Sequence, residues 1–235
     1  MPHRWSDAAE LRRHQIESGL DLTFNHVFKP LLLHRLTELR TGSIIEIGAG
    51  TGHLSKAFDE YGFQVTAIEP SPGMFSVAQD VLRNSSVELI NCESYALPVD
   101  RFFDASVSHL VAHVVEDLTE FFTSVYRHLK LNGHFLLTIP HPCFFNDYKS
   151  IFDETYSYMQ PQSKDISFAI TKDPKNMISG VPYHHRPLSK YINSLVSAGF
   201  AIDGFDEVFP EQEIQAMYGE PWDNPRYCLF GCRRL

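Results

Sequence analysis

The chain is short of paired cysteines, of long apolar runs, of repeats and of positive charge, and each shortage closes off a class of protein. Four cysteines, Cys92, Cys143, Cys228 and Cys232, are scattered through 235 residues with no C-x-x-C pair, so neither a zinc knuckle nor a disulfide framework is indicated. Cys228 and Cys232 fall in an apparent terminal strand, where four residues of rise hold them roughly 13 Å apart, too far to share a metal within it. No metal site is expected, and the twelve histidines are read as surface residues with a few in a pocket. No stretch approaches the ~18 apolar residues of a membrane span, and Met1-Pro2-His3-Arg4-Trp5-Ser6 lacks the apolar core of a signal peptide. A cytoplasmic protein with no membrane partner is expected. With 20 Lys and Arg against 29 Asp and Glu, the formal net charge is −9. That balance leaves no basic surplus for phosphate contacts, so no nucleic-acid partner is expected. A small molecule is the expected partner of a monomer or homodimer.

The chain is organised around Ser43-Ile44-Ile45-Glu46-Ile47-Gly48-Ala49-Gly50-Thr51-Gly52-His53-Leu54. A short β-branched run gives way to three glycines at every second position and then to a helical pattern, which reads as strand, tight turn and helix start. Glycine suits a turn where the backbone bends sharply and a bulky ligand approaches the main chain. Amide groups at the following helix start are expected to face that ligand. The dinucleotide fingerprint G-x-G-x-x-G would need its third glycine where His53 stands, so a dinucleotide is disfavoured. Downstream, Gln64-Val65-Thr66-Ala67-Ile68 reads as a second strand ending in Glu69, about the ~20 residues on at which an acid can grip two ribose hydroxyls.

With Glu46 ahead of the glycines, E-x-G-x-G-x-G resembles the first motif of the class I S-adenosylmethionine-dependent methyltransferases. The resemblance covers about 43 to 140 and, more loosely, the closing strands from 188 to 235. It implies S-adenosylmethionine as cofactor and a set of residues at the strand ends to hold it. These are Glu46, Gly48, Ala49, Gly50 and Gly52 after the first strand, and Glu69, Pro70, Ser71 and Met74 after the second. After the third, Asn91-Cys92-Glu93-Ser94-Tyr95-Ala96-Leu97-Pro98 is similar to the family's acid-then-small-residue turn. Glu93 would accept from the adenine amino group and the Ser94 amide would donate to a ring nitrogen. After the fourth, His109, Leu110 and His113 would line the methionine portion.

Strands and helices alternate from Ser43 onward, the signature of a parallel sheet covered on both faces. Strands are expected at 43–47, 64–68, 87–91, 103–108, 133–139, 201–208 and 226–233, and helices at about 53–61, 72–83, 117–130 and 188–198. Pro70-Ser71-Pro72 sets a hydroxyl cap before a proline at the first helical position. Asn132-Gly133 is expected to stop the helix carrying Phe121, Phe122, Val125, Tyr126 and Leu129. The fold class is α/β: one domain, 1–235, with a doubly wound, seven-stranded, mostly parallel sheet, the Rossmann-like methyltransferase fold. It carries an N-terminal helical segment, 1–40, in which Phe24, Val27, Phe28, Leu31, Leu32 and Leu36 recur at helical spacing.

Residues 140–187 break the rhythm. Dense in His, Pro, Tyr, Phe and Asp, this stretch is too long for an ordinary connection and reads as an insertion that binds the acceptor or covers it. Candidate catalytic groups there are His141, Tyr183 and His185, with Arg186 as a holder for an acidic acceptor, since imidazole suits a general base and guanidinium an anion. Phe144, Phe145, Tyr148, Tyr156, Tyr158 and Trp222 are candidate walls for an apolar acceptor. The implied reaction is methyl transfer to an oxygen or nitrogen of a small molecule. Two alternatives are another S-adenosylmethionine reaction that releases methylthioadenosine, and a non-catalytic S-adenosylmethionine-binding protein.

Overall fold

The computed structural model describes residues 2–219 and 221–235; Met1 and Glu220 lie outside the described residues. The central sheet is built from β1 (Ser43–Ile47), β2 (Gln64–Ile68), β3 (Glu88–Ile90), β4 (Phe103–His109), β5 (Leu129–Pro140), β8 (Phe200–Val208) and β9 (Tyr227–Arg234). Their order is β3-β2-β1-β4-β5-β9-β8. The first five run parallel, and β9 closes antiparallel on both β5 and β8. This is the doubly wound, seven-stranded α/β sheet that the alternation of elements predicts. Successive residues of β1 point to opposite faces, so Ile44 joins a core with Phe28, Leu32, Leu36 and Phe58 while Ile45 joins one with Phe122, Val125, Tyr191 and Leu195.

Helices α2 (Lys29–Glu38) and α3 (His53–Tyr61) cover the first face, and α5 (Leu118–Arg127) and α7 (Leu188–Ser197) the second. α3 ends where Gly62 takes a left-handed φ of 104°. α4 (Pro72–Val81) starts as expected, with Ser71 accepting from the Met74 amide and Pro72 in the first turn. The Asp117 carboxylate caps α5 by accepting from the amides of Thr119 and Glu120. Ahead of the sheet, α1 (Ala9–Glu17) and a π-helical turn, Thr23–Phe28, lead into α2. Phe24, Val27, Phe28, Leu32 and Leu36 are buried, which accounts for their spacing. No helix among the described residues is long and apolar enough to cross a membrane.

Three expected boundaries move. α5 stops at Arg127 and β5 already begins at Leu129, so Asn132-Gly133 does not end a helix. It forms an irregularity inside β5, where the pairing with β4 jumps from Phe103↔Leu129 to Ala105↔His134 and a Cβ on Gly133 would stand 2.8 Å from the Lys130 carbonyl. α4 likewise ends at Val81 rather than at 83.

The 140–187 stretch holds α6 (Phe145–Lys149) and a two-stranded antiparallel hairpin, β6 (Gln162–Ile170) with β7 (Asp173–His185), neither of which the sequence suggests. The hairpin turns at Thr171-Lys172, without the glycine or asparagine that marks such turns, and its register slips near Phe168. It does not join the main sheet. Ile166, Ile178, Val181 and Tyr183 pack it onto Met74, Val77 and Val81 of α4 and onto Ala8 and Ala9. Arg4 pairs with Asp165, and Gln15 donates to Asp173 at 3.0 Å, so the N-terminal segment and the hairpin are tied to one another. α8 (Gln212–Tyr218) completes the chain before β9.

Candidate functional site

The C-terminal ends of β1 to β4 open into one cavity of about 1380 Å³, above the usual range for a single small-molecule site. The N-terminal segment and the β6–β7 hairpin supply the facing wall, through Asp21 and Phe24 from the one and Ile166 and Tyr183 from the other. All the residues expected at the cofactor line it except Gly52. Gly52, at φ +79°, is needed instead for packing: a Cβ there would stand 3.1–3.2 Å from Leu82 and Ala78.

The glycine turn is held by its own chain. Gly48 and Ala49 amides both donate to the Ile68 carbonyl at 2.9 Å, Gly52 donates to Ala49 at 2.9 Å, and Gly50 donates to Glu69 Oε2 at 2.7 Å. The first, second and fourth of these amides brace the end of β1 against the end of β2, and that of Gly52 closes the turn on itself. Gly48, at φ +76°, leaves a space in which a Cβ would come 2.5 Å from Val111 Cγ2. A Cβ on Gly50, at φ +56°, would meet nothing within 4 Å.

Glu69 accepts from the Ser71 amide through Oε1 and from Gly50 through Oε2, both at 2.7 Å. Each carboxylate oxygen keeps a second lone pair for a ligand hydroxyl. Burial pushes its pKa up to about 7 against these two amides, and the neighbouring Glu93 adds to the rise. Glu46, fully enclosed beneath the turn, accepts from the Ser55 hydroxyl. Burial carries its pKa to about 8, opposed by that hydrogen bond and reinforced by Glu69. Burial likewise raises Glu93, while the Ser94 hydroxyl is engaged with Ser124 at 2.6 Å. Met74 is buried in the cluster under the hairpin and also reaches the cavity.

After β4, Leu110 takes a left-handed φ of 55° and its amide meets Thr138 at both the carbonyl, 3.1 Å, and Oγ1, 3.2 Å. The hydroxyl of fully buried Thr138 is also hydrogen-bonded to His109 Nδ1 at 2.8 Å, which fixes the orientation of the ring. Burial lowers His109 to about 4 and His113 to about 3, so both rings are neutral near pH 7. Among the described residues His113 Nδ1 is buried with no hydrogen-bond partner.

Of the expected catalytic groups only Tyr183 lines the cavity. Its ring stacks on Phe145, 4.2 Å between centroids at 12°, and burial drives its pKa well above 10, so it cannot serve as a phenolate near neutrality. His141 is turned away into the protein, accepting from the Cys143 amide at 3.2 Å and bonded to Glu207 at 2.9 Å. Its place directly after β5 suggests the cavity, but the His-Pro turn carries the ring to the β8 side. His185 is also buried elsewhere, bonded to the Tyr158 carbonyl at 2.9 Å, because alternation along β7 sends Tyr183 and His185 into a ring cluster with Phe152 and Tyr156. Arg186 is not available to an acidic acceptor: its guanidinium donates to the carbonyls of Ala112, Val115 and Glu116 and fixes the loop after β4. Among the proposed aromatic walls, Phe145 and Tyr148 line the cavity; Phe144, Tyr156, Tyr158 and Trp222 do not.

Several lining residues escaped the sequence reading. Thr51 and His53 bond to one another at 2.9 Å across the turn, and the very residue that breaks the dinucleotide pattern was the signal for them. Asp21, ion-paired with Arg12, and Thr23, bonded to Tyr218 at 2.9 Å, come from the N-terminal segment. Lys149, Arg226 and Tyr227 come from α6 and the start of β9. No motif marks them, since they meet only through the fold.

Comparison with known proteins bears on the same stretch. Residues 45–137 match the family model described as a methyltransferase domain. An uncharacterized methyltransferase of Alkaliphilus oremlandii (strain OhILAs) is 36% identical over 78 residues, 33% of this chain and 35% of the relative. A malonyl-[acyl-carrier protein] O-methyltransferase of Pseudescherichia vulneris is 31% identical over 104 residues, 44% of this chain and 41% of the relative. The matched region thus spans well under half the length of these curated relatives. A crystal structure of a S-adenosylmethionine-dependent methyltransferase from Clostridium acetobutylicum ATCC 824 superposes with a TM-score of 0.67 over 97% of this chain and 98% of that one, at 15% identity. At that identity the likeness speaks for the fold.

Proposed function

We propose that this chain, which belongs to the S-adenosylmethionine-dependent methyltransferase family, binds S-adenosylmethionine at the ends of β1 to β4 and methylates an oxygen or nitrogen of a small molecule. The observation that carries the reading is the convergence, on one cavity wall, of the Gly48–Gly50 turn, the braced Glu69 carboxylate, Glu93 with Ser94, and His109 with Leu110. When bound, S-adenosylmethionine supplies an electrophilic methyl on a positive sulfur. Glu69 would hold two ribose hydroxyls through its remaining lone pairs, Glu93 and Ser94 would meet the adenine edge, and the bare backbone at Gly50 would leave the ligand room. His109 offers a ring oriented by Thr138, and His113 a buried ring nitrogen with no partner among the described residues.

Neither imidazole on this wall nor Tyr183 on the facing one is a ready base near neutrality, since burial lowers both imidazole pKa values and holds Tyr183 protonated, and the raised carboxyls are committed in this reading to the cofactor side. The protein's part is therefore alignment and water exclusion, the proximity contribution to catalysis. Residues 1–40 and 140–187 belong to the same single domain in this reading and act as the cover of the acceptor space. The chain works on a soluble acceptor in the cytoplasm.

Isothermal titration with S-adenosylmethionine and S-adenosylhomocysteine tests the cofactor, and product analysis tests the chemistry. Binding followed by release of S-adenosylhomocysteine supports the proposal. Methylthioadenosine as product would shift it to another S-adenosylmethionine reaction. A folded protein that ignores both adenosyl compounds would overturn it.

A further inference from the structure

The loop between β4 and α5 forms a large part of the cavity wall and belongs to neither helix nor strand. From Leu110 to Glu116 it is mostly apolar and β-branched, with no glycine or proline to set a turn. Such a stretch favours extended strand, but the left-handed φ of 55° at Leu110 takes it out of the sheet. Its carbonyls therefore need partners from elsewhere. They find them at the end of the hairpin. The Arg186 guanidinium donates to the carbonyls of Ala112 at 3.3 Å, Val115 at 2.5 Å and Glu116 at 2.7 Å, and the His184 amide donates to that of His113 at 2.8 Å. The Val114 amide closes the loop on Val111 at 2.9 Å.

Arg186 is 8% exposed, and among the described residues no carboxylate pairs with it. Tyr191 of α7 backs it: burial raises the tyrosine pKa to about 12, against the charge of Arg186 and a hydrogen bond with it. A guanidinium is a planar fork that serves several carbonyls in one fixed geometry, whereas lysine puts its donors on a flexible stem. The clamped loop presents two groups. Val111 packs at the glycine turn, where its Cγ2 would stand 2.5 Å from a Cβ on Gly48. His113 enters the cavity 5.5 Å from the Tyr183 ring, and after burial the Arg186 charge is the next cause that lowers its pKa, which places the guanidinium near that ring. In the cofactor reading the nucleoside rests on Glu69, Glu93 and Ser94 at the ends of β2 and β3. The strand order β3-β2-β1-β4 means that a ligand extending from there across the glycine turn next meets this loop.

The geometry points to Arg186 as a positioning residue: by clamping the loop from the hairpin side, it sets Leu110, Val111 and His113 against the amino-acid end of S-adenosylmethionine without holding the ligand itself. The role rests on the S-adenosylmethionine reading above. The nucleoside end, seated on residues of β2 and β3, is blind to Arg186.

The test titrates wild type, Arg186→Lys and Arg186→Met with S-adenosylhomocysteine and with methylthioadenosine, which shares the nucleoside and sulfur but lacks the amino-acid end. Wild type should prefer S-adenosylhomocysteine by about tenfold or more, and the variants should lose most of that preference while methylthioadenosine stays within about twofold. Retained methylthioadenosine binding shows that a variant is folded; a merely structural arginine would weaken both ligands alike. Arg186→Lys is the gentler change and keeps the charge, so its loss reports the fork geometry. A second readout needs no ligand: the His113 ring signal in a carbon–proton correlation spectrum, identified by its disappearance in His113→Asn, should shift in Arg186→Lys. Equal wild-type affinity for the two compounds, equal loss of both in Arg186→Lys, full preference in that variant, or an unmoved His113 signal would each overturn the positioning role and leave the cofactor reading standing. Wild type that binds neither compound would remove the cofactor reading and the positioning role with it.

Discussion

Around the glycine turn, the polar groups of the wall are fixed by neighbouring backbone: Glu69 by two amides, Gly48 and Ala49 by one carbonyl, His109 through Thr138. Across the cavity, Lys149 and Arg226 rest on ring faces, and Tyr183 is held by stacking on Phe145. The first half is assembled from residues within a few positions of four adjacent strand ends. The second draws on residues 12, 21, 149 and 226, which come together only because the hairpin and the N-terminal segment fold over the sheet. Hydrogen-bonded backbone gives a rigid seat, suited to a ligand of one shape. Ring faces and long cationic side chains give an adaptable one, suited to a space whose occupant differs between otherwise similar proteins. Substitutions in the two halves should therefore separate cofactor affinity from acceptor selection.

The largest effect is expected at Gly48. Valine there would have to adopt a left-handed φ and place its Cβ 2.5 Å from Val111, at a cost of about 2–4 kcal/mol from backbone and overpacking together. S-adenosylmethionine binding should be undetectable by calorimetry while the far-ultraviolet circular dichroism stays native. Retained affinity would show that the turn is not rigid. Gly50→Arg, whose side chain enters open space but whose backbone must keep a left-handed φ, should cost about 1–2 kcal/mol of stability and lose affinity by blocking the wall. Next in size, Glu69→Ala should weaken S-adenosylmethionine by more than about tenfold, at least ~1.4 kcal/mol. It removes the proposed ribose ligand and leaves the Gly50 and Ser71 amides unpaired. An unchanged dissociation constant in a folded Glu69→Ala protein would place the nucleoside elsewhere.

These expectations follow the line between what the sequence made legible and what it did not. The parallel sheet was legible because β-branched runs such as Ser43–Ile47 and helix starts such as Ser71-Pro72 are local signals. That the residues around the glycine turn line a cavity was legible for the same reason, since strand ends are where such sheets bind ligands. Gly52 was misassigned because a glycine kept for close helix packing looks, in sequence, like one kept for a ligand. His141 and His185 were misassigned because sequence position fixes the strand end but not what lies over it: a proline turn carries the His141 ring inward, and His185, on the same face of β7 as Tyr183, is covered by Phe152, Tyr156 and Tyr158. The hairpin was missed because Gln162–Ile170 is largely polar and its turn carries no glycine. His141→Ala now has a different meaning: it should cost roughly 1–3 kcal/mol of stability by stranding the Cys143 amide, with cofactor affinity unchanged. A drop in turnover without a drop in melting temperature would return His141 to the acceptor side.

The smaller effects concern protons. Glu46 and Glu69 have pKa values raised by burial to about 8 and about 7. Their share of the free protein's stability is therefore fully present below the ordinary glutamate pKa and is lost as pH rises through 7 and 8. A bound positive ligand reverses the preference, because the ionised carboxylates then face an opposite charge. Affinity for S-adenosylmethionine should rise severalfold from about pH 6 to pH 8 while the thermal stability of the free protein falls over the same interval. Calorimetry in buffers of different ionisation enthalpy should show proton release on binding at pH 7. S-adenosylhomocysteine, which lacks the sulfonium charge, should release fewer protons. Glu46→Gln should flatten both curves, and equal proton release for the two ligands would show that the sulfonium does not sense these acids.

The least effect on the cofactor is expected from Lys149→Met, and it is the sharpest probe of the division between the halves. The ammonium lies beyond β5 against Phe168 and Tyr148, and neither Glu69 nor Glu93 counts it among the charges that shift their pKa. S-adenosylhomocysteine affinity should stay within about twofold of wild type, under ~0.5 kcal/mol. The thermal stability should hold or rise slightly, since a half-buried cation repelled by Arg226 is exchanged for an apolar chain of similar length. A tenfold loss of cofactor affinity would mean that the two ends of the cavity are coupled through the cover formed by the N-terminal segment and the hairpin. In that event Gln15→Ala, which breaks the buried link to Asp173 and the hydrogen bond from Arg12, should reproduce the loss.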